Sequence, residues 1–307
     1  MSTSLSTADV PPEFLEAAFL VGHIPLRSLP SEPRVSYALY VPKEQYNAKA
    51  SAEAKLPLLV HIHGTGRRLS GLDFDYPRFA DRLGCAVLFP LFPCDLDGPD
   101  DLGSYKILRS HSLRADLALL SMLDEVGRVW PGIDTEKVFL EGFSGGGHFT
   151  HRFLYLYPER LAAASVGAPG KATSLDETQN WPIGIADVED RFGRTVKKEV
   201  IAQVPIQMVV GSEDVHGHGG AEFWAWVRTQ RLKAQGISEE DAAKTHIRTV
   251  EVVGDRVKTL RDLQAEWLAQ GITVQFDVVD GVAHDEQGVR GTVLEFIESE
   301  MRKQRNA

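Results

Sequence analysis

The chain has 307 residues, of which 43% are hydrophobic and 25% charged. That is ordinary globular composition, long enough for one large core with a small accessory cap. A formal net charge of -10, with no dense basic block beyond the terminal run Met301-Arg302-Lys303-Gln304-Arg305, argues against a nucleic-acid partner.

No apolar run approaches the roughly 20 residues a membrane span needs, and residues 1–12 lack the basic start and apolar middle of a signal peptide. The expectation is a soluble, cytoplasmic protein with no membrane partner. Two cysteines, Cys85 and Cys94, are too few for a disulfide framework and lack zinc-ligand spacing, so buried, reduced thiols are expected. The oligomeric state, a homodimer included, is left open.

Short runs rich in Val, Leu, Ile and Phe alternate with helical patterns, the signal for parallel strands joined by crossover helices. In chain order the sequence predicts strands at residues 36–41, 57–63, 86–91, 137–142, 162–167, 206–211 and 273–279. Helices are predicted at 76–83, 111–126, 146–157, 221–234, 256–269 and 289–303. In the second of these Leu113, Leu117, Leu120 and Leu123 form one face and Gly127 acts as a stop. Residues 1–35 are read as an N-terminal extension, and 36–307 as a single domain.

Two connections, 171–204 and 215–255, exceed the usual loop length and are read as cap-like insertions. Trp181, Pro182, Ile183 and Phe192 in the first, and Phe223, Trp224 and Trp226 in the second, are apolar side chains suited to a pocket wall. The alternative is that they pack the excursions onto the sheet.

The run Gly142-Phe143-Ser144-Gly145-Gly146 follows the strand-like stretch Lys137-Val138-Phe139-Leu140-Glu141 and has the form of a nucleophile elbow. A sharp turn from strand to helix leaves the serine hydroxyl exposed, and glycines two residues before and after let the chains approach. A serine hydroxyl is a poor nucleophile at neutral pH, so this reading demands a histidine base, an orienting carboxylate and oxyanion donors.

The run Met208-Val209-Val210-Gly211-Ser212-Glu213-Asp214 carries a strand into an acidic pair at its carboxyl end, where catalytic groups of parallel sheets collect. Asp214 is preferred to Glu213 for reach, and a solvated acidic turn is the alternative. Among ten histidines, His284 follows the strand at 273–279 through Asp280-Gly281-Val282-Ala283 and stands at the same sheet edge. A neutral imidazole there takes the proton of Ser144 while Asp214 holds its other nitrogen.

His61-Ile62-His63-Gly64-Thr65-Gly66 admits two readings. His61 and His63 point the same way from a strand and suit a metal, with His216 and His218 as further ligands. The preferred reading is a turn whose backbone N–H, from Gly64 or Thr65, completes an oxyanion hole with that of Gly145.

His63-Gly64, Gly142-x-Ser144-x-Gly146, Gly211-x-x-Asp214 and His284, in register with the predicted strands, resemble the α/β-hydrolase superfamily over residues 36–302. The resemblance implies a mostly parallel central sheet flanked by helices, a Ser-His-Asp triad, no organic cofactor, and hydrolysis of an ester, lactone, thioester or amide. Gly145-Gly146-Gly147-His148 and the strand Pro57-Leu58-Leu59-Val60 are similar to esterases of the dienelactone hydrolase and polyhydroxybutyrate depolymerase kind. The turn departs from the His-Gly-Gly-Gly form of lipases.

The expected activity is cleavage of a small or medium carboxylic ester or lactone, with Phe143, His148, Trp181 and Trp224 as candidate substrate contacts. For the helix after Ser144 the alternative is that His148 packs or caps near the elbow and His151 lies at the surface. Rival readings are an acyltransferase or lyase using the same groups, a metal-dependent hydrolase, and a non-catalytic binding module.

Overall fold

A computed structural model describes residues 5–98, 101–216, 222, 225, 226, 229 and 254–306. Eight strands form one sheet in the order β1-β2-β4-β3-β5-β6-β7-β8. They are β1 (Gly22–Leu29), β2 (Glu32–Val41), β3 (Leu58–Ile62), β4 (Ala86–Leu91), β5 (Val138–Phe143), β6 (Leu161–Gly167), β7 (Ile206–Gly211) and β8 (Gln275–Val279). β2 runs antiparallel to β1 and β4, and every later pairing is parallel. The central strands β3, β5 and β7 are buried along their whole length, as their unbroken apolar runs require when helices cover both faces.

The described helices are α1 (Asp75–Leu83), α2 (Ala115–Val129), α3 (Gly145–Leu156), α4 (Val188–Phe192), α5 (Lys198–Ile201), α6 (Arg256–Ala269) and α7 (Glu286–Arg305). Local chemistry sets their ends. α1 stops at Gly84, which takes a left-handed φ of 71° and returns its N–H to the carbonyl of Ala80. α6 and α7 begin where the side chains of Asp255 and Asp285 accept from the amides of Lys258 and Gln287.

Two expectations need correction. β1 is absent from the predicted strands, although it pairs with β2 and forms the sheet edge within the residues read as an extension. Its pattern is broken by Pro25 and polar residues, and its register shifts between Ile24 and Arg27; proline at an edge costs no ladder bond but erases the period-two signal.

The other correction concerns α2, which starts four residues later than predicted and runs through Gly127 to Val129. Its buried face is Ala115, Ala118, Leu119, Met122, Leu123 and Val126, while Leu117 is 43% exposed. Gly127 is no stop: a Cβ there would lie 2.7 Å from Oγ1 of Thr135, so the residue serves close packing. Among the described residues Cys85 is buried and Cys94 is exposed, so only the first thiol matches the expected burial. No helix of the described residues is long and apolar enough to cross a membrane.

Candidate active site

β5 delivers Ser144 into a turn that only a crowded junction sustains. Ser144 takes φ 56° and ψ −109°, a conformation costing a non-glycine residue of order 1–3 kcal/mol. Its N–H bonds to the carbonyl of Gly167 on β6, and its carbonyl accepts from the amide of His148, so the strain is held from both sides. A Cβ on Gly142 would sit 2.6 Å from the carbonyl carbon of Gly146, one on Gly146 would sit 2.1 Å from the carbonyl oxygen of Ile62, and one on Gly147 would sit 2.2 Å from that of Gly167. The glycines therefore let α3 enter between β3 and β6 with the hydroxyl at its N-terminus.

The loops after β7 and β8 are laced together beside it. Ser212 and Glu213 donate backbone N–H groups to the carbonyls of Val279 and Val282, and the amide of Gly281 donates to Oγ of Ser212 at 2.9 Å. A Cβ on Gly211 would fall 2.1 Å from the carbonyl oxygen of Val282, so glycine is what permits this contact. The lacing brings Asp214, 1% exposed, against the imidazole of His284. Nδ1 of His284 stands 2.6 Å from Oδ2 of Asp214, and Nε2 stands 2.9 Å from Oγ of Ser144. The ring of Phe143 lies 4.8 Å from that of His284 and limits its rotation. Glu213, the rejected alternative, is exposed.

Arg256 was not visible as a site residue in the sequence. Its buried guanidinium donates from Nη1 to Oδ1 of Asp214 at 2.8 Å and to the carbonyl of His216 at 3.1 Å, while its own amide donates to the carbonyl of Asp214. One carboxylate thus serves His284 with one oxygen and Arg256 with the other. Removing one member of a buried ion pair leaves the other charge uncompensated. Arg256→Met is expected to destabilise the protein by about 3–5 kcal/mol, read as a fall in the urea midpoint.

The turn after β3 brings the amide of Thr65 to 2.8 Å from the position a Cβ on Gly145 would occupy, and neither the Thr65 amide nor that of Gly145 finds a protein acceptor among the described residues. Gly145 opens α3, where helix N–H groups have no partner within the helix. Arg67 clamps the turn by donating to the carbonyls of Thr65, Leu102 and Pro93. Tyr105, unmarked in the sequence, donates its hydroxyl to the carbonyl of His63 at 3.1 Å, and a Cβ on Gly145 would come within 2.3 Å of that oxygen. No sequence signal singles it out, because its partners are backbone groups distant in the chain.

The two histidines of this turn do not converge. His63 donates from Nδ1 to the carbonyl of Gly64 and accepts at Nε2 from the amide of Phe92, and burial pushes its pKa down to about 4. His61 joins a separate buried network with Glu141 and Tyr76, whose hydroxyl donates to Oε1 of Glu141 at 2.5 Å. Burial lowers the pKa of His61, but the carboxylates of Glu141 and Glu286 outweigh it and the net direction is up. His216 is exposed, His218 lies outside the described residues, and no group of three or more metal-ligating side chains occurs among the described ones.

The remaining candidates are placed as follows. Trp181 is buried, donates from Nε1 to the carbonyl of Ile107 at 2.8 Å and packs edge-on against Phe192, so it ties the 171–204 connection to the domain. His148 is half-buried and His151 is buried, which corrects the surface reading of His151. That ring donates from Nδ1 to the carbonyl of Gly147 and accepts from the amide of Thr173. Trp224 and Phe223 lie outside the described residues, as does most of the helix predicted at 221–234.

The sheet order, the strained serine between β5 and α3, and the loops after β7 and β8 define an α/β-hydrolase fold. Solved structures share it. A poly(3-hydroxybutyrate) depolymerase from Bordetella parapertussis superposes with a TM-score of 0.62 at 20% identity, covering 94% of this chain and 95% of its own. Poly(aspartic acid) hydrolase-1 from Sphingomonas sp. KT-1 gives 0.61 at 19%, covering 85% and 92%. An S-formylglutathione hydrolase from Agrobacterium tumefaciens gives 0.56 at 14%, covering 90% and 93%. No protein-family model and no curated sequence matches the chain.

Proposed function

We propose that the protein is a serine hydrolase that cleaves a small or medium carboxylic ester or lactone through an acyl-enzyme on Ser144. The observation that carries the reading is the continuous relay from Oγ of Ser144 to Nε2 of His284 at 2.9 Å and from Nδ1 of His284 to Oδ2 of Asp214 at 2.6 Å. The acceptor at Nδ1 is a carboxylate, so that nitrogen carries the proton and Nε2 is free to act as base.

In the proposed sequence Ser144 attacks the substrate carbonyl carbon while its proton passes to Nε2 of His284. The oxygen that becomes negative takes hydrogen bonds from the amides of Gly145 and Thr65. Collapse of this adduct breaks the ester bond, and His284 returns the proton to the departing alkoxide. Water, deprotonated by the same ring, then releases the acid and restores the hydroxyl. Asp214 holds the ring in the required tautomer, Arg256 holds Asp214, and the strained backbone of Ser144 keeps the hydroxyl clear of its own helix.

The direct test is labelling with an organophosphonate. The expected result is one adduct per chain, mapped by mass spectrometry to the peptide containing Ser144 and abolished in His284→Ala. Folded protein that takes no label would defeat the reading.

A further inference from the structure

Positive charge and hydrogen-bond donors without acceptors gather along one side of α3, beside the nucleophile. His148 and Arg152 stand four and eight residues after Ser144 and share its face of the helix. The segment Ser104–Ile107 crosses that face. Its Tyr105 hydroxyl lies against Gly145, and the carbonyl of Lys106 accepts from Nη1 of Arg152 at 2.6 Å.

None of the three groups meets a carboxylate. The ammonium of half-buried Lys106 makes no hydrogen bond or ion pair among the described residues. Asp101, the acid close enough to act on it, has its oxygens engaged by the amides of Asp97, Gly103 and Ser104. Buried Arg152 donates to Oγ1 of Thr173 and the carbonyl of Lys106 and lies 5.9 Å from the ring of Trp181. His148 accepts at Nε2 from the amides of Gly170 and Lys171, which puts its proton on Nδ1, and that buried N–H has no acceptor.

Burial pushes Lys106 down to about 8, with Arg67 and Arg152 adding to the effect, and burial pushes Arg152 down to about 9. In a chain of net charge -10, an ammonium and a buried guanidinium gathered at one place with no carboxylate in hydrogen-bond contact among the described residues are not a solvated face.

We propose that Lys106, backed by Arg152 and the open donor of His148, receives a carboxylate carried by the substrate, so that the preferred esters bear an anionic group several bonds from the scissile carbonyl. The proposal rests on Ser144 being the nucleophile. A rise of 1.5 Å per residue sets His148 about 6 Å along the helix from it. A single ammonium at the open side suits one negative charge better than the two of a phosphate monoester.

The test compares two fluorophosphonates of equal length, one tail ending in methyl and the other in carboxylate, by their second-order rates of labelling Ser144. The expected result is at least about 10-fold faster labelling by the carboxylate probe, the scale of one charge-assisted hydrogen bond. Lys106→Met should bring the ratio of the two rates close to one. A ratio near one in the unsubstituted protein, or a ratio that Lys106→Met leaves unchanged, overturns the proposal. The unsubstituted comparison alone decides the matter if the variant does not fold. Failure of both probes to label folded protein overturns the nucleophile assignment and this inference with it.

Discussion

Ser144→Ala lowers kcat for any ester the protein turns over by about 10⁴-fold or more, with secondary structure and melting temperature close to the parent's. The size follows from the arrangement. Without Oγ the ring of His284, 2.9 Å away, has no proton to accept, and an acyl-enzyme cannot form. Under the proposed mechanism what remains is polarisation of the carbonyl by backbone amides at the start of α3 and in the turn after β3, which acts on direct attack by water. His284→Ala should cost nearly as much, and the double variant little more than either single one, because the two groups act as one device. Initial rates of ester hydrolysis with active-site titration check both points. Additive losses, or a Ser144→Ala variant within tenfold of the parent, would exclude the mechanism.

Gly146→Ala destabilises the protein by about 3 kcal/mol or more, with loss of organophosphonate labelling in whatever fraction folds. The added methyl would meet the carbonyl oxygen of Ile62 at 2.1 Å, and its neighbour carbonyl on His63 at 3.2 Å. Both belong to backbone that cannot swing aside like a side chain. Relief requires α3 to withdraw from β3, which carries Ser144 away from His284 and Gly145 away from Thr65. Gly291→Ala on α7 is the control: nothing lies within 4 Å of a Cβ there, and alanine in an exposed helix interior should stabilise by about 0.5–1 kcal/mol. Chemical denaturation of the pair reads out opposite signs. Two shifts of the same sign would mean that close packing at the elbow is not what the glycine supplies.

The strands lying between helices were legible because their apolar runs are continuous, and β3 through β7 appear within one or two residues of the sequence reading. β1 was not, since an edge strand with one wet face and a proline has neither a continuous run nor a clean alternation. The phase of α2 was misjudged for a related reason. Of the four leucines that look like a core stripe, Leu113 and Leu123 are buried but Leu117 is exposed, while Ala115, Ala118, Leu119 and Met122 fill the inward side, and size alone does not say which side that is.

The candidate site divides along the same line. Ser144 and His284 could be read from local signals, an elbow motif and a histidine after a terminal strand. Asp214 could be named only because it follows a strand that ends at the same edge. These are properties of short segments and of chain order, so the linear pattern of residues suffices for them.

Arg256, Tyr105, Lys106 and Arg152 have no such signal. Arg256 lies 42 residues from the carboxylate it holds. Tyr105 and Arg152 meet backbone carbonyls, which every residue possesses and no sequence pattern marks. Whether Gly64 or Thr65 is placed to donate to an oxyanion is likewise not legible in the sequence, since it turns on how β3 and α3 approach. Periodicity and glycine placement encode which elements form and where Ser144 stands. The company that serine keeps is a matter of packing, because charge pairing and hydrogen bonding act across space between residues that the chain itself holds far apart.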